Sequence, residues 1–219
     1  MPVSSNVRPH SMHLYDSLQQ LLESPAPTER QVHSLLKQHL DFVTGMFADS
    51  WNYAESYYEV PFGADFRADF VVLCANSGYW IAHIVELKGP SVALYLPSGD
   101  KSKDLQLVER QLAQRENWRR QNEQAFREAL VKQVPRSAAA QCSHATEHQR
   151  AVPELLDPRT VIHMNIHAVI GRSSNMSLED RERRRLDDQK QGEWGSPSVI
   201  TYDRFLSKAK RLQRGSGAA

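Results

Sequence analysis

Two apolar runs, Phe66 to Leu73 and Tyr79 to Lys88, stand on either side of Asn76-Ser77-Gly78, and this constrains the chain more than any other feature. β-branched and aromatic runs around such a turn signal predict a hairpin. The polar residues inside the runs are the informative ones. Asp69 opens the segment RADFVVL, and Glu86 and Lys88 lie two apart in IVELK. On a strand, Glu86 and Lys88 share one face while Val85 and Leu87 take the other. If Ala75 pairs with Trp80 around a four-residue turn, Asp69 falls opposite Glu86 on the same face. A register one residue tighter puts Asp69 opposite Val85 and turns it away, unless a bulge restores it. The sequence leaves both registers open.

The remaining segments surround this hairpin with helices and further strands. Met12, Leu14, Tyr15, Leu18, Leu21 and Leu22 recur at helical spacing over Ser11 to Glu23, and Ser24-Pro25-Ala26-Pro27 stops that helix. Thr28 is placed to cap a second helix reaching about Phe47. Tyr53 to Phe62 reads as a strand or bent strand, and Lys103 to Val134 as one long helix. Arg136 to Arg159 reads as irregular or weakly helical, and Thr160 to Gly171 as a strand. A polar helix follows over Ser177 to Gln189, with Ser177 and Asp180 as a capping box. A short strand spans Ser198 to Tyr202, and Asp203 is placed to cap a last helix. This order predicts an α/β fold, a mixed central sheet flanked by helices. The expected organisation is an N-terminal helical segment over 1–27, a main domain over 28–212 and a flexible tail over 213–219.

Bulk properties exclude some classes of function. No stretch approaches the ~18 consecutive apolar residues of a membrane span. Met1 to His10 is polar and lacks the apolar core of a secretion signal. Cys74 and Cys142 are too few for a disulfide framework, so a cytoplasmic, reducing setting is expected. With 27 Lys and Arg against 26 Asp and Glu, the net charge of +1 neither demands nor excludes nucleic acid. An anionic partner has to be met by a local patch. No phosphate-binding run of the G-x-x-x-x-G-K-[ST] type is present.

Two carboxylates and a lysine on one strand face have a direct chemical use. Carboxylate oxygens suit Mg²⁺, a hard cation that keeps several waters and takes a substrate phosphate oxygen as ligand. Such an ion activates water and offsets charge on a phosphoryl transition state. An ammonium beside it orients the water or balances the scissile phosphate.

Asp69 followed by Glu86-Leu87-Lys88 resembles the signature of the PD-(D/E)xK nuclease superfamily, with Ala68 where a proline is usual. The blocks RADFVVL, WIAHIVELKGP, LVERQLAQRENWRRQNEQ, VIHMNIHAVIGR and VITYDRFL, in this order, resemble the Shedu nuclease domain of bacterial anti-phage defence over roughly Thr28 to Leu212. The resemblance implies a restriction-endonuclease-like core, Mg²⁺ or Mn²⁺ as cofactor and DNA as substrate. Asp69 and Glu86 would then hold the metal, Lys88 would be the catalytic lysine, and Gln111 would match the helix glutamine. Gln114 is the alternative to Gln111, and Glu29 the candidate for an acidic residue from the first helix. The resemblance also implies a homo-oligomer. With a short N-terminal part before Thr28, regulation is expected from oligomerisation or from another chain acting as activator or sensor.

Other candidates have plainer readings. Arg110, Arg115, Arg119, Arg120 and Arg127 alternate with Glu109, Glu116, Glu123 and Glu128, so intrahelical pairs are the default. Arg119 and Arg120 are the better candidates for DNA contact, and Arg172 for phosphate contact or loop support. His163, Asn165 and His167 share a strand face, read as packing under a helix before metal binding. Cys142, His144 and His148 lack a second cysteine pair at zinc-ligand spacing. Cys74 reads as a buried thiol. The competing function is a catalytically silent nucleic-acid-binding or assembly module on the same fold. A nuclease of repair or RNA processing is a weaker third.

Overall fold

The computed structural model describes residues 11–48, 51, 53–76, 79–134, 145–191 and 198–216. Strands β1 (Tyr53–Phe62), β2 (Phe66–Asn76), β3 (Tyr79–Leu87), β4 (Val161–Val169) and β5 (Ser198–Ile200) form one sheet in the order β1-β2-β3-β4-β5. The first three strands pair antiparallel, and β4 and β5 add in parallel, so the sheet is mixed. Ser77 and Gly78 lie outside the described residues, yet Ala75 pairs with Trp80, so the wider of the two registers holds.

Helices cover both faces. On one side α4 (Lys103–Gln121), α5 (Glu123–Val131) and α6 (Ala145–Leu156) pack Leu105, Leu112, Phe126 and Leu155 against Val71, Leu73, Trp80 and Ile84. On the other, α1 (Ser11–Glu23), α2 (Glu29–Lys37), α3 (Leu40–Phe47) and α8 (Tyr202–Ser216) pack Leu18, Leu36, Val43 and Phe205 against Phe70, Val72, Val85 and Leu87. β2 and β3 are buried on both sides because both sides are covered there. α7 (Leu178–Gln191) is the polar helix, and Ser177 Oγ accepts from the Asp180 amide at 3.1 Å as its capping pattern requires.

Several boundaries differ from the sequence reading. The helix expected from Thr28 to Phe47 is two helices, because the chain leaves helical geometry at His39 (φ −132°, ψ 54°). Thr28 does cap α2, in a reciprocal box with Gln31. The helix expected from Lys103 to Val134 divides at Asn122, whose side chain donates to the Trp118 carbonyl at 2.8 Å. That carbonyl is the acceptor the residue's own N–H would use in an unbroken helix. α6, with Pro153 inside it, is helix within the span read as irregular or weakly helical, and 135–144 lie outside the described residues, Cys142 and His144 among them. α8 continues through Ser216, past the expected tail boundary. Asp203 lies in its first turn, where its carboxylate takes the Ser173 amide at 2.5 Å and Arg172 at 2.9 Å in place of a cap.

Candidate active site

The acids meet where two strands change face. Ala68 belongs to the core under α4 and Phe70 to the core under α2, although residues two apart on a regular strand share a side. β2 therefore turns over at Asp69. Its β1 neighbour does the same: Tyr58 pairs with Phe70 and Val60 with Ala68, while Glu59 between them drops out of the pairing with φ +51°. Left-handed backbone at a non-glycine residue is uncommon and marks a local constraint. The β2–β3 ladder ends at Phe70 with Val85, and one residue further on Asp69 comes beside Glu86. There the Asp69 carboxylate accepts the Leu87 N–H at 2.7 Å, so a side chain takes the place of a main-chain acceptor.

Glu86 is 4% exposed, a carboxylate among core residues. Burial pushes its pKa up to about 7, and the Asp69 charge pushes the same way. Arg115 and Lys88 act against that rise. Arg115 comes from α4, forms a close ion pair with Glu86 Oε1, and lies 5.0 Å from the Phe66 ring centroid.

Lys88 follows the end of β3. Its N–H donates to the Val169 carbonyl at 2.8 Å, and its carbonyl accepts the Tyr202 hydroxyl at 2.7 Å. Tyr202 is fully buried, and burial together with the charges of Glu29 and Asp69 holds its hydroxyl well above the usual tyrosine range. It stays a donor. Among the described residues, the Lys88 ammonium makes no side-chain hydrogen bond or close ion pair. Its charge acts on both Glu86 and Glu29.

Of the other residues picked from sequence, Glu29 opens α2, and desolvation raises its carboxyl pKa against the pull of Lys88. Gln111 is half-buried and lies one helical turn before Arg115 on the same flank of α4, whereas Gln114 is exposed. Arg119 donates to the Ile162 carbonyl at 2.8 Å and pairs with Glu123 at 3.0 Å. Ile162 pairs with Trp80, at the end of β3 away from Glu86. Arg120 pairs with Glu116 on the exposed side of α4. Arg172 donates to Asp203 and to the Leu22 carbonyl, tying loop, α8 and α1 together. The structure thus brings Asp69, Glu86, Lys88 and Glu29 to one end of the sheet, sets Gln111 one turn from Arg115 on α4, and leaves Arg119 and Arg120 elsewhere.

Arg115 and Tyr202 are the residues that sequence reasoning did not place here. The signal for Arg115 was its spacing of one turn from Gln111. Tyr202 carried no signal beyond its place in the VITYDRFL block.

Among the described residues, no group of three or more His, Cys, Asp and Glu is placed to hold a metal ion. The protein would supply two carboxylates, with water and phosphate completing the shell. That donor set fits Mg²⁺ or Mn²⁺, which favour oxygen and retain water, better than a cation that needs an all-protein cage. On the histidine face of β4, His167 packs as the plainer reading has it, whereas His163 is exposed. His83 Nδ1 and His167 Nε2 lie 2.9 Å apart, His167 Nδ1 lies 2.6 Å from Ser198 Oγ, and Phe47 covers both rings. Cys74 is fully buried, and burial pushes its thiol up to about 12.

The family model described as Shedu protein SduA, C-terminal, matches residues 26–206. The chain belongs to the Shedu SduA C-terminal family. None of the curated proteins compared with it matches. The span of the Shedu match contains Glu29, Asp69, Glu86, Lys88, Gln111, Arg115 and Tyr202, and so takes in the whole cluster. It begins after α1 and closes within α8.

Proposed function

We propose that this chain is a metal-dependent DNA endonuclease of anti-phage defence, built on a restriction-endonuclease-like core. The observation that carries the reading is the meeting of Asp69 and Glu86 on neighbouring strands with Lys88 two residues beyond. Membership of the Shedu SduA C-terminal family supports the defence setting. Asp69 and Glu86 would hold Mg²⁺ or Mn²⁺, which when bound lowers the pKa of water and polarises a phosphate oxygen. Lys88 offsets the negative charge that grows on the phosphate. Gln111, with a donor and an acceptor, orients the water from α4. The water oxygen forms a new bond to phosphorus, one P–O ester bond breaks, and the proton lost by the water ends on the departing alkoxide. Regulation falls to a second copy of the chain or to another protein.

A silent DNA-binding or assembly module is the second reading. It is favoured by Arg115, which already occupies Glu86. Cleavage of linear and supercoiled DNA in Mg²⁺, Mn²⁺ or EDTA, beside Glu86→Gln and Lys88→Ala, separates the two. The nuclease reading expects metal-dependent cutting that both variants lose while staying folded. Binding without cutting in every metal, by a folded wild type, favours the silent module.

A further inference from the structure

Arg115 is the cationic group at this site that the proposed reaction does not use. A guanidinium keeps its charge at any physiological pH. Here it is 13% exposed on its side chain and lies against Glu86 Oε1. A buried carboxylate needs a neutralising partner. Lys88 lies two residues away on the same chain segment, yet the fold brings the close partner from α4 on a long stem. Any divalent cation using Glu86 has to contend with that guanidinium, because two cations at one buried carboxylate repel each other. While paired with Glu86 the guanidinium also lies 5.0 Å from the Phe66 ring centroid, so an apolar face flanks it as well as the carboxylate. The planar fork of arginine also matches two phosphate oxygens at once.

We infer that Arg115 competes with the divalent cation for Glu86 and, once off that carboxylate, binds the substrate phosphate. The inference rests on the metal-site reading of Asp69 and Glu86. The test uses the full chain and two measurements, Mn²⁺ affinity by calorimetry without DNA and DNA affinity at saturating Mn²⁺. Arg115→Gln should bind Mn²⁺ about tenfold more tightly than wild type and hold DNA about tenfold more weakly, the scale of one charge-assisted hydrogen bond. Arg115→Lys, with a charge but no fork, should keep the wild-type Mn²⁺ affinity and lose DNA affinity. Equal Mn²⁺ binding by wild type and Arg115→Gln, with binding abolished by Glu86→Gln, overturns the competition while the metal site stands. Unchanged DNA affinity in Arg115→Gln overturns the phosphate contact. No Mn²⁺ binding by any folded chain overturns the metal site and the inference with it. Circular dichroism establishes folding, and Arg115→Met takes the place of Arg115→Gln should the latter not fold.

Discussion

Glu86 puts a carboxylate where the rest of β3 places apolar side chains, and that choice has a cost which only chemistry or a partner can justify. Its amide isostere keeps the shape of the buried group without its charge. Glu86→Gln should therefore fold but cut at least about 10²-fold more slowly, measured as initial nicking rate of supercoiled DNA in Mg²⁺. Tyr202→Phe removes a single oxygen, the one that donates to the Lys88 carbonyl. It should lower unfolding free energy by about 1 kcal/mol in urea titration. It should also slow cleavage by roughly tenfold or more, because Lys88 loses the support of its main chain. At this scale much was legible. The two-residue period of a strand places Glu86 and Lys88 together whatever the fold. The register of Asp69 was not legible, because it depends on a turn that either pairing satisfies. Arg115 was hidden for another reason: five arginines alternate with glutamates on one stretch, and only its ion pair with Glu86 separates it from its neighbours.

Among the elements, the strands followed the sequence closely, as did α1, whereas the two long helices did not. β1 has the expected limits, Tyr53 to Phe62, because its aromatic run fits nothing else. The two long helices divided because one side chain at Asn122 and one backbone turn at His39 outweigh otherwise continuous periodicity. Arg127 joins one of the resulting pieces, α5, to α6. It is 5% exposed and donates to the carbonyls of Leu155, Asp157 and Thr160, closing the end of α6 against α5. Arg127→Met leaves those carbonyls without that donor and should cost about 3 kcal/mol, read from chemical denaturation. The β3–β4 face makes a prediction in pH. Burial lowers His83 to about 4 and His167 to about 3, with His83 and Arg204 adding to the second. Both rings are neutral in the folded chain, while the unfolded chain protonates them near 6.5. Their contribution is present above pH 6.5 and is lost as pH falls from there toward 4. Glu86, raised to about 7, works the other way over the same window. The readout is thus the difference between chains. Stability of His83→Gln should fall less steeply than wild type from pH 6 to 5, by about 1.4 kcal/mol per pH unit.

Across the whole molecule, one of the two cores on opposite faces of the sheet takes in a helix the sequence reading had set apart. Pro25 and Pro27 marked a boundary, and the family match also begins nearby, at residue 26. Yet Leu14, Leu18 and Leu22 of α1 are buried with Phe205 and Ala209 of α8. Amphipathic spacing shows that a helix has a face to hide and leaves open what will hide it. Burial of three leucines at about 1.5–3 kcal/mol each approaches the ~5–15 kcal/mol that holds an ordinary domain together. A chain lacking residues 1–23 should accordingly lose its cooperative thermal transition, monitored by circular dichroism. The Tyr202 contact bears on synthesis as well as on support. Asp69, Glu86 and Lys88 leave the ribosome well before Tyr202, while β3 still lacks its parallel neighbour β4. A nascent chain halted before α8 holds every acid and base of the proposed chemistry without the hydroxyl that fixes Lys88. The order of manufacture thus keeps unfinished copies from carrying the complete support of the proposed site.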